Sequence, residues 1–299
     1  MALPHDELWP RAGSWPAPAE GERADAVIVG VPTWRTSLST TGAHATPAAI
    51  REALPRYSAT LMGPPAVDLN EALRIVDAGD VQEPDGDEGV ERAVARVREL
   101  SEAARLVIAL GGDNSLTYPV ARGAGADGLI TIDAHFDLRD GVSNGSPVRR
   151  LVQDAPEAER IDPTRIVQIG IADFANSAAY ARRAADWGIR VITLDEVRRR
   201  GVADVAAEAL RVAGAGARIH LDIDVDAADR AAVPGCPASV PGGFAAWELR
   251  ALVRTLAADE RIVSADLAEV DATADAEDGR TVRLAALCVL ELLAALAAR

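Results

Sequence analysis

The sequence predicts an α/β fold: a mainly parallel sheet covered by helices on both faces, in three layers. Three observations lead there. Short apolar, β-branched runs recur along the chain, and amphipathic helical segments separate them. Several runs, such as Gly128-Leu-Ile-Thr-Ile and Ile219-His-Leu-Asp-Ile, are apolar without strict alternation, as strands buried on both faces are. The 299 residues contain no linker, low-complexity tract or fixed-period repeat, so residues 1–299 read as one domain.

Residues 1–24, with Trp9 and Trp15 among prolines and glycines, read as an irregular N-terminal arm. The first strand is Ala26–Gly30. A Thr/Ser/Gly-rich loop then leads to a helix opened by Pro47, whose ring suits the first turn. A second strand follows at Arg74–Asp80 and a helix at about Gly89–Ala104. Leu106–Leu110 is a strand running straight into Gly111-Gly-Asp-Asn-Ser. After the 128–133 strand comes a polar loop, Leu138–Ser146, closed by a helix near Pro147–Val152. Strands at Arg165–Ile171, Arg190–Leu194, Ala217–Ile223 and Ile262–Leu267 complete the set. A helix is expected over about Ser177–Trp187, and an Ala/Leu-rich buried helix near residues 282–298.

Composition narrows the function. The net charge is −15 and the pI about 4.7, which disfavours nucleic acid and anionic membranes as partners. Aromatics are 4%, too few for a base-stacking platform. Cys236 and Cys288 form neither a CxxC pair nor a disulfide framework, and no basic-then-apolar leader opens the chain, so a cytoplasmic protein is expected. The 282–298 stretch is interrupted by Arg283 and Glu291 and is too short to span a bilayer.

The chemistry-bearing residues stand at strand ends. Asp133, His135 and Asp137 occupy alternate positions, so in extended chain they share one face. Taken alone, this is also what a solvated strand exit looks like. A second set, Asp222, Asp224 and Asp226, lies at alternate positions of another apolar run. Three acids on one face repel one another unless a cation joins them, and two such strands point to more than one positive charge. In open α/β sheets ligands bind at these carboxyl ends.

Gly111-Gly-Asp-Asn-Ser, Asp133-Ala-His-Phe-Asp and Asp224-Val-Asp, with Val233-Pro-Gly beyond, stand in the order of the ureohydrolase family of arginases, agmatinases and formimidoylglutamases, which the chain resembles from its first strand to Glu269. An arginase-like fold is implied. Pro234 and Gly235 fix the register on Asp224 and Asp226, with Asp222 a neighbour behind them; the pair Asp222 and Asp224 is the alternative. The resemblance implies two Mn²⁺ per chain, held by Asn114, Asp133, His135, Asp137, Asp224 and Asp226, with Asp133 and Asp224 bridging. A water between two such ions is acidified and attacks a planar amidine or guanidine carbon. Glu269 and the ligand Asp137 are the expected catalytic residues, Glu269 also pairing with the substrate's cationic nitrogen; standing alone, Glu269 would read as a loop acid.

Departures from the family pattern point to the substrate. Asn114 stands where most of the family has histidine and can ligate only through its amide oxygen. Asn144 replaces the histidine proposed as a proton shuttle in arginases and agmatinases. Ser143–Pro147 and Gln168-Ile-Gly-Ile, with Asn176-Ser177 beyond, resemble formimidoylglutamases. That resemblance implies a small amidine substrate, N-formimidoyl-L-glutamate, cleaved to L-glutamate and formamide in histidine breakdown. Arg139, Asn144, Arg149 and Glu269 are its expected contacts, guanidinium groups being good carboxylate clamps; Arg150 reads as a surface helix residue. Another guanidino or amidine hydrolase, or a metal-poor subunit without activity, are the alternatives. Homo-oligomers, trimers or hexamers, are implied by the family.

Overall fold

The computed structural model describes residues 6–216 and 218–299; Ala217, where the seventh strand was expected to start, and residues 1–5 of the arm lie outside them. The strands are β1 (Ala24–Val31), β2 (Thr60–Leu61), β3 (Val67–Asp68), β4 (Ile75–Asp80), β5 (Ala104–Gly111), β6 (Gly128–Ile132), β7 (Ile166–Ile171), β8 (Arg190–Thr193), β9 (Ile219–Asp224) and β10 (Ile262–Ala268). The helices are α1 (Thr46–Ala53), α2 (Leu69–Ala72), α3 (Gly86–Ala103), α4 (Thr117–Gly123), α5 (Pro147–Gln153), α6 (Ala178–Trp187), α7 (Leu194–Arg200), α8 (Val202–Ala213), α9 (Ala246–Ala257) and α10 (Arg280–Ala297).

Eight strands form one sheet in the order β4-β1-β5-β10-β9-β6-β7-β8, every neighbouring pair parallel. The short β2–β3 pair is antiparallel and separate. Strands β6 and β9 are buried along their whole length, as their unalternating apolar sequences require. On one face α1 and α7 to α10 pack over Ile50, Val205, Leu252 and Leu292. On the other, α3 to α6 pack over Val97, Val120, Leu151 and Ala184. Each fully buried leucine or isoleucine here contributes about 1.5–3 kcal/mol. Local signals end the helices where the sequence allows it: Ser177 caps α6 by accepting from Tyr180 N, and Gly188, at φ 77°, closes it in the left-handed conformation that glycine adopts without strain.

The chain leaves β5 on one side of the sheet centre and re-enters at β6 on the other, with β10 and β9 between them. The carboxyl ends of these four strands therefore open onto one crevice at a topological switch point. Among the described residues no helix is long and apolar enough to cross a membrane.

Candidate metal centre and active site

A cavity of about 400 Å³ opens at that crevice, and His135, Asp137, Arg139, Asn144, Asp224, Asp226 and Glu269 all line it. The two sequence clusters thus meet, although not by simple alternation. Strand β6 stops at Ile132, and Asp137 has a backbone φ of 51°, so residues 133–137 form a loop rather than an extended strand. That loop is pinned from β7 and beyond. Gln168 Nε2 donates to Phe136 O at 2.8 Å, Phe136 N donates to Asn176 Oδ1 at 3.0 Å, and Asn176 Nδ2 donates to Ala134 O at 2.8 Å. Likewise β9 ends at Asp224, and Asp226 sits on the 3-10 turn Val225–Ala227. Glu269 also has a positive φ, 62°. Left-handed backbone at non-glycine residues carries strain, and here it falls on two cavity-lining carboxylates.

The carboxylates and imidazole crowd together. Asp226 Oδ2 lies 2.7 Å and Asp133 Oδ1 3.5 Å from His135 Nδ1, and ligand atoms of these three residues all fall within 4.8 Å of one another. Asp133 Oδ2 is buried and has no hydrogen-bond partner among the described residues. Asp226 N donates to Asp224 Oδ1 at 2.8 Å, tying the second pair. Asn114 and Asp137 form the other half: Asn114 Nδ2 donates to Asp137 Oδ2 at 2.6 Å, and Thr117 Oγ1 donates to Asn114 Oδ1 at 2.7 Å. For Asn114 to ligate an ion beside Asp137, its amide must turn over. The Thr117 hydroxyl accepts as readily as it donates, so the turned amide keeps its partner.

Without cations this packing forces protons onto the site. Burial first, then the charges of Asp137 and Asp226, push the Asp133 carboxyl well above its usual range. Burial pushes Asp137 up to about 7, against the pull of His135 and with Asp226 and Glu269 adding to the rise. Burial would lower His135, but Asp226 and Asp133 overcome it and raise it to about 12. Asp224 is likewise raised, by burial and then by Asp226 and Asp133. Crowded, buried carboxylates of this kind favour either protons or bound cations. Four carboxylates, an imidazole and an amide oxygen balance two divalent ions and suit Mn²⁺, a metal that favours oxygen ligands. Asp133, His135 and Asp226 present donor atoms close enough together to hold an ion, and Asp224, Asp137 and Asn114 stand beside them.

A pH dependence follows. Asp137, at about 7, and Glu269, at about 8, bind protons more tightly folded than unfolded, where carboxyls titrate near 4. Their contribution to metal-free stability is complete below the unfolded value and is lost as pH rises through the folded one. The melting temperature of metal-stripped protein should fall from pH 5 to pH 8, while the rise on adding Mn²⁺ grows. Differential scanning calorimetry checks this; a metal-free melting temperature that climbs over that range refutes it.

Glu269 Oε1 accepts from Asn114 N at 2.7 Å and from Asn144 Nδ2 at 2.8 Å. Burial first and Asp113 second raise its pKa to about 8, although both amide donors pull it down. The expected contact Arg139 stands exposed on the cavity wall. Arg149 departs from its expected role. It is buried and outside the cavity lining; its Nε donates to Arg139 O at 2.8 Å, one terminal nitrogen to Gly141 O at 2.7 Å, and both terminal nitrogens hold Asp154. With its donors spent on the Arg139 loop, it braces that loop instead of meeting substrate. Arg150, expected on the surface, is buried, with its guanidinium 3.8 Å above the Tyr118 ring.

Asp222 lies behind the expected ligands, fully buried, with neither oxygen accepting a hydrogen bond from a donor among the described residues. Its partner across β9–β10 is Asp266, which contacts His220 Nε2 at 3.0 Å; His220 Nδ1 is 2.8 Å from Ser264 Oγ. Burial first, then the charge of Asp266, hold the Asp222 carboxyl well above its usual range. Only the strand register, absent from a linear reading, brings Asp266 beside Asp222.

Residues 24–295 match the profile of the arginase family. A formimidoylglutamase of Halobacterium salinarum is 36% identical over 93% of this chain and 90% of its own length. The crystal structure of formimidoylglutamase from Bacillus subtilis superposes with a TM-score of 0.89 at 28% identity, covering 99% of this chain and 94% of that one. That of Trypanosoma cruzi formiminoglutamase with Mn²⁺ superposes at 0.81 and 25% identity, covering 92% and 94%. The chain belongs to the arginase family.

Proposed function

We propose that this protein is a formimidoylglutamase: it hydrolyses the C–N bond of N-formimidoyl-L-glutamate, releasing L-glutamate and formamide, with two Mn²⁺ held by Asn114, Asp133, His135, Asp137, Asp224 and Asp226. The observation carrying this reading is one cavity that joins the acidic cluster, a carboxylate with one oxygen left for substrate (Glu269) and a guanidinium at the wall (Arg139). Formimidoylglutamase relatives over nearly the whole chain support it.

Bound there, the ions would acidify a water for attack near neutral pH. Glu269 Oε2 accepts from the amidinium nitrogen and orients the electrophilic carbon. Arg139 takes a substrate carboxylate with a charge-assisted hydrogen bond. Asp137, facing the cavity, carries the proton released by the attacking water to the departing nitrogen. No histidine stands at Asn144 to do this, which suits an amidine more than a strongly basic guanidine. A cationic tail such as agmatine's would meet Arg139 unfavourably. A cytoplasmic homo-oligomer belongs to the same proposal, on the family's example.

The test is an assay with Mn²⁺ across amidine and guanidine substrates. Formamide from formimidoylglutamate, with no urea from arginine or agmatine, is the expected result; the reverse pattern makes the protein a guanidino hydrolase. Arg139→Ala should raise KM about tenfold or more with kcat little changed, since a hydrogen bond to a charged group contributes about 1.5–3 kcal/mol. An unchanged KM removes Arg139 from the pocket.

A further inference from the structure

The segment between β1 and α1 folds back over the cavity, and one side chain joins it to Glu269. Asn144 N donates to Thr36 O at 3.3 Å, and Leu38 N donates to Asn144 Oδ1 at 3.0 Å. On its other side the same amide donates from Nδ2 to Glu269 Oε1 at 2.8 Å. The orientation of the amide is dictated by its neighbours. A backbone N–H can only donate and an ionised carboxylate can only accept, so the oxygen must face Leu38 and the NH₂ must face Glu269. Leu38 and Ser39 line the cavity, and the Leu38 side chain is exposed at its rim.

Glu269 needs this support. Its backbone has a φ of 62°, anchored by Glu269 N donating to Gly112 O at 2.9 Å. A carboxylate on such a backbone has two oxygens of equal chemistry, and nothing in the residue itself decides which one faces the ligand. Asn114 N and Asn144 Nδ2 together occupy Oε1, and Oε2 is left for the cavity. One N–H and one lone pair of the Asn144 amide are thus committed to protein partners.

We propose that Asn144 is a positioning residue: it reserves Glu269 Oε2 for the substrate nitrogen and makes that alignment depend on residues 36–38 being seated over the cavity. This rests on the role given to Glu269 above. It replaces the direct substrate contact expected of Asn144 from the sequence. Residues 36–38, which hold no acid, base or metal ligand, thereby influence turnover through one backbone N–H.

The test is a double-mutant cycle on the Mn²⁺-loaded enzyme with formimidoylglutamate, using Asn144→Ala and Leu38→Pro, which removes the N–H donated to Asn144 Oδ1, with Leu38→Ala as the control for the lost side chain. Asn144→Ala is expected to lower kcat by about 10- to 100-fold, the usual effect of removing a hydrogen bond that orients an active-site group, with KM changed by less than about threefold. Manganese content should match the parent. Leu38→Pro should lower kcat in the parent and have no further effect in Asn144→Ala. A raised KM at unchanged kcat for Asn144→Ala would make Asn144 a substrate contact and overturn the proposal, as would additive effects in the cycle or loss of a metal. Glu269→Gln run alongside separates the two readings: if it keeps full activity, the role of Glu269 fails, and if it is inactive while Asn144→Ala is normal, the coupling alone fails.

Discussion

Asp133→Asn is expected to lower kcat/KM by about 10³-fold or more and, in the same protein, to raise the melting temperature of the metal-free form. The two effects have one cause. Asp133 is completely buried, with Oδ2 unpartnered among the described residues and His135 N donating to Oδ1 at 2.6 Å. Burial and the neighbouring charges of Asp137 and Asp226 make its ionised form costly in the absence of cations. A neutral amide of the same shape relieves that repulsion and can still accept from His135 N, so the empty site gains stability. The loaded site loses an expected bridging anion. Ion-derived stabilisation of developing charge amounts to several kcal/mol, and each 1.36 kcal/mol is a decade in rate. Thermal melts with and without Mn²⁺, beside steady-state kinetics, read both signs. A variant that is destabilised when metal-free would show that Asp133 serves the fold and not the ions.

Glu269→Gln should cost roughly 10²- to 10³-fold in kcat/KM while leaving metal content unchanged. Truncating the charge of one partner in a buried ion pair typically costs about 2–5 kcal/mol, because the other charge is left without its counterpart. In the proposed function that partner is the amidinium, which forms the contact only once bound. Glutamine can still accept from Asn114 N and from Asn144 Nδ2, so Oε1 keeps its seat and the loss reports on the second oxygen. Neutral substrate analogues should bind to parent and variant alike. A variant that keeps wild-type turnover would remove Glu269 from substrate recognition.

Much of the architecture was legible because it is written locally. Apolar runs such as Leu106–Leu110 and Gly128–Ile132 mark buried strands, and Pro47 marks a helix start by its own backbone chemistry. The acids at the strand ends were legible as a cluster, yet the reason they converge was not. Alternation along β6 fails one residue past Ile132, and the loop reaches its shape through Gln168 and Asn176. Asn144 was expected as a substrate contact from the resemblance of its loop, and the side-chain bonds that suggest a positioning role reach Leu38 and Glu269, 106 and 125 residues away in sequence. Arg149 was misread for a related reason: its partners Arg139 O and Gly141 O are backbone carbonyls, whose direction no side-chain pattern encodes.

The proposed function requires that acids from the ends of β6 and β9 gather two divalent ions beside Glu269. Diffraction from crystals equilibrated with Mn²⁺, recorded at the manganese absorption edge, addresses this directly. Two anomalous peaks are expected, one touching Asp137 and the turned amide of Asn114, the other touching His135 and Asp226, with Asp133 and Asp224 reaching both. A map with no peak among these side chains, from protein that nevertheless hydrolyses formimidoylglutamate, would contradict it.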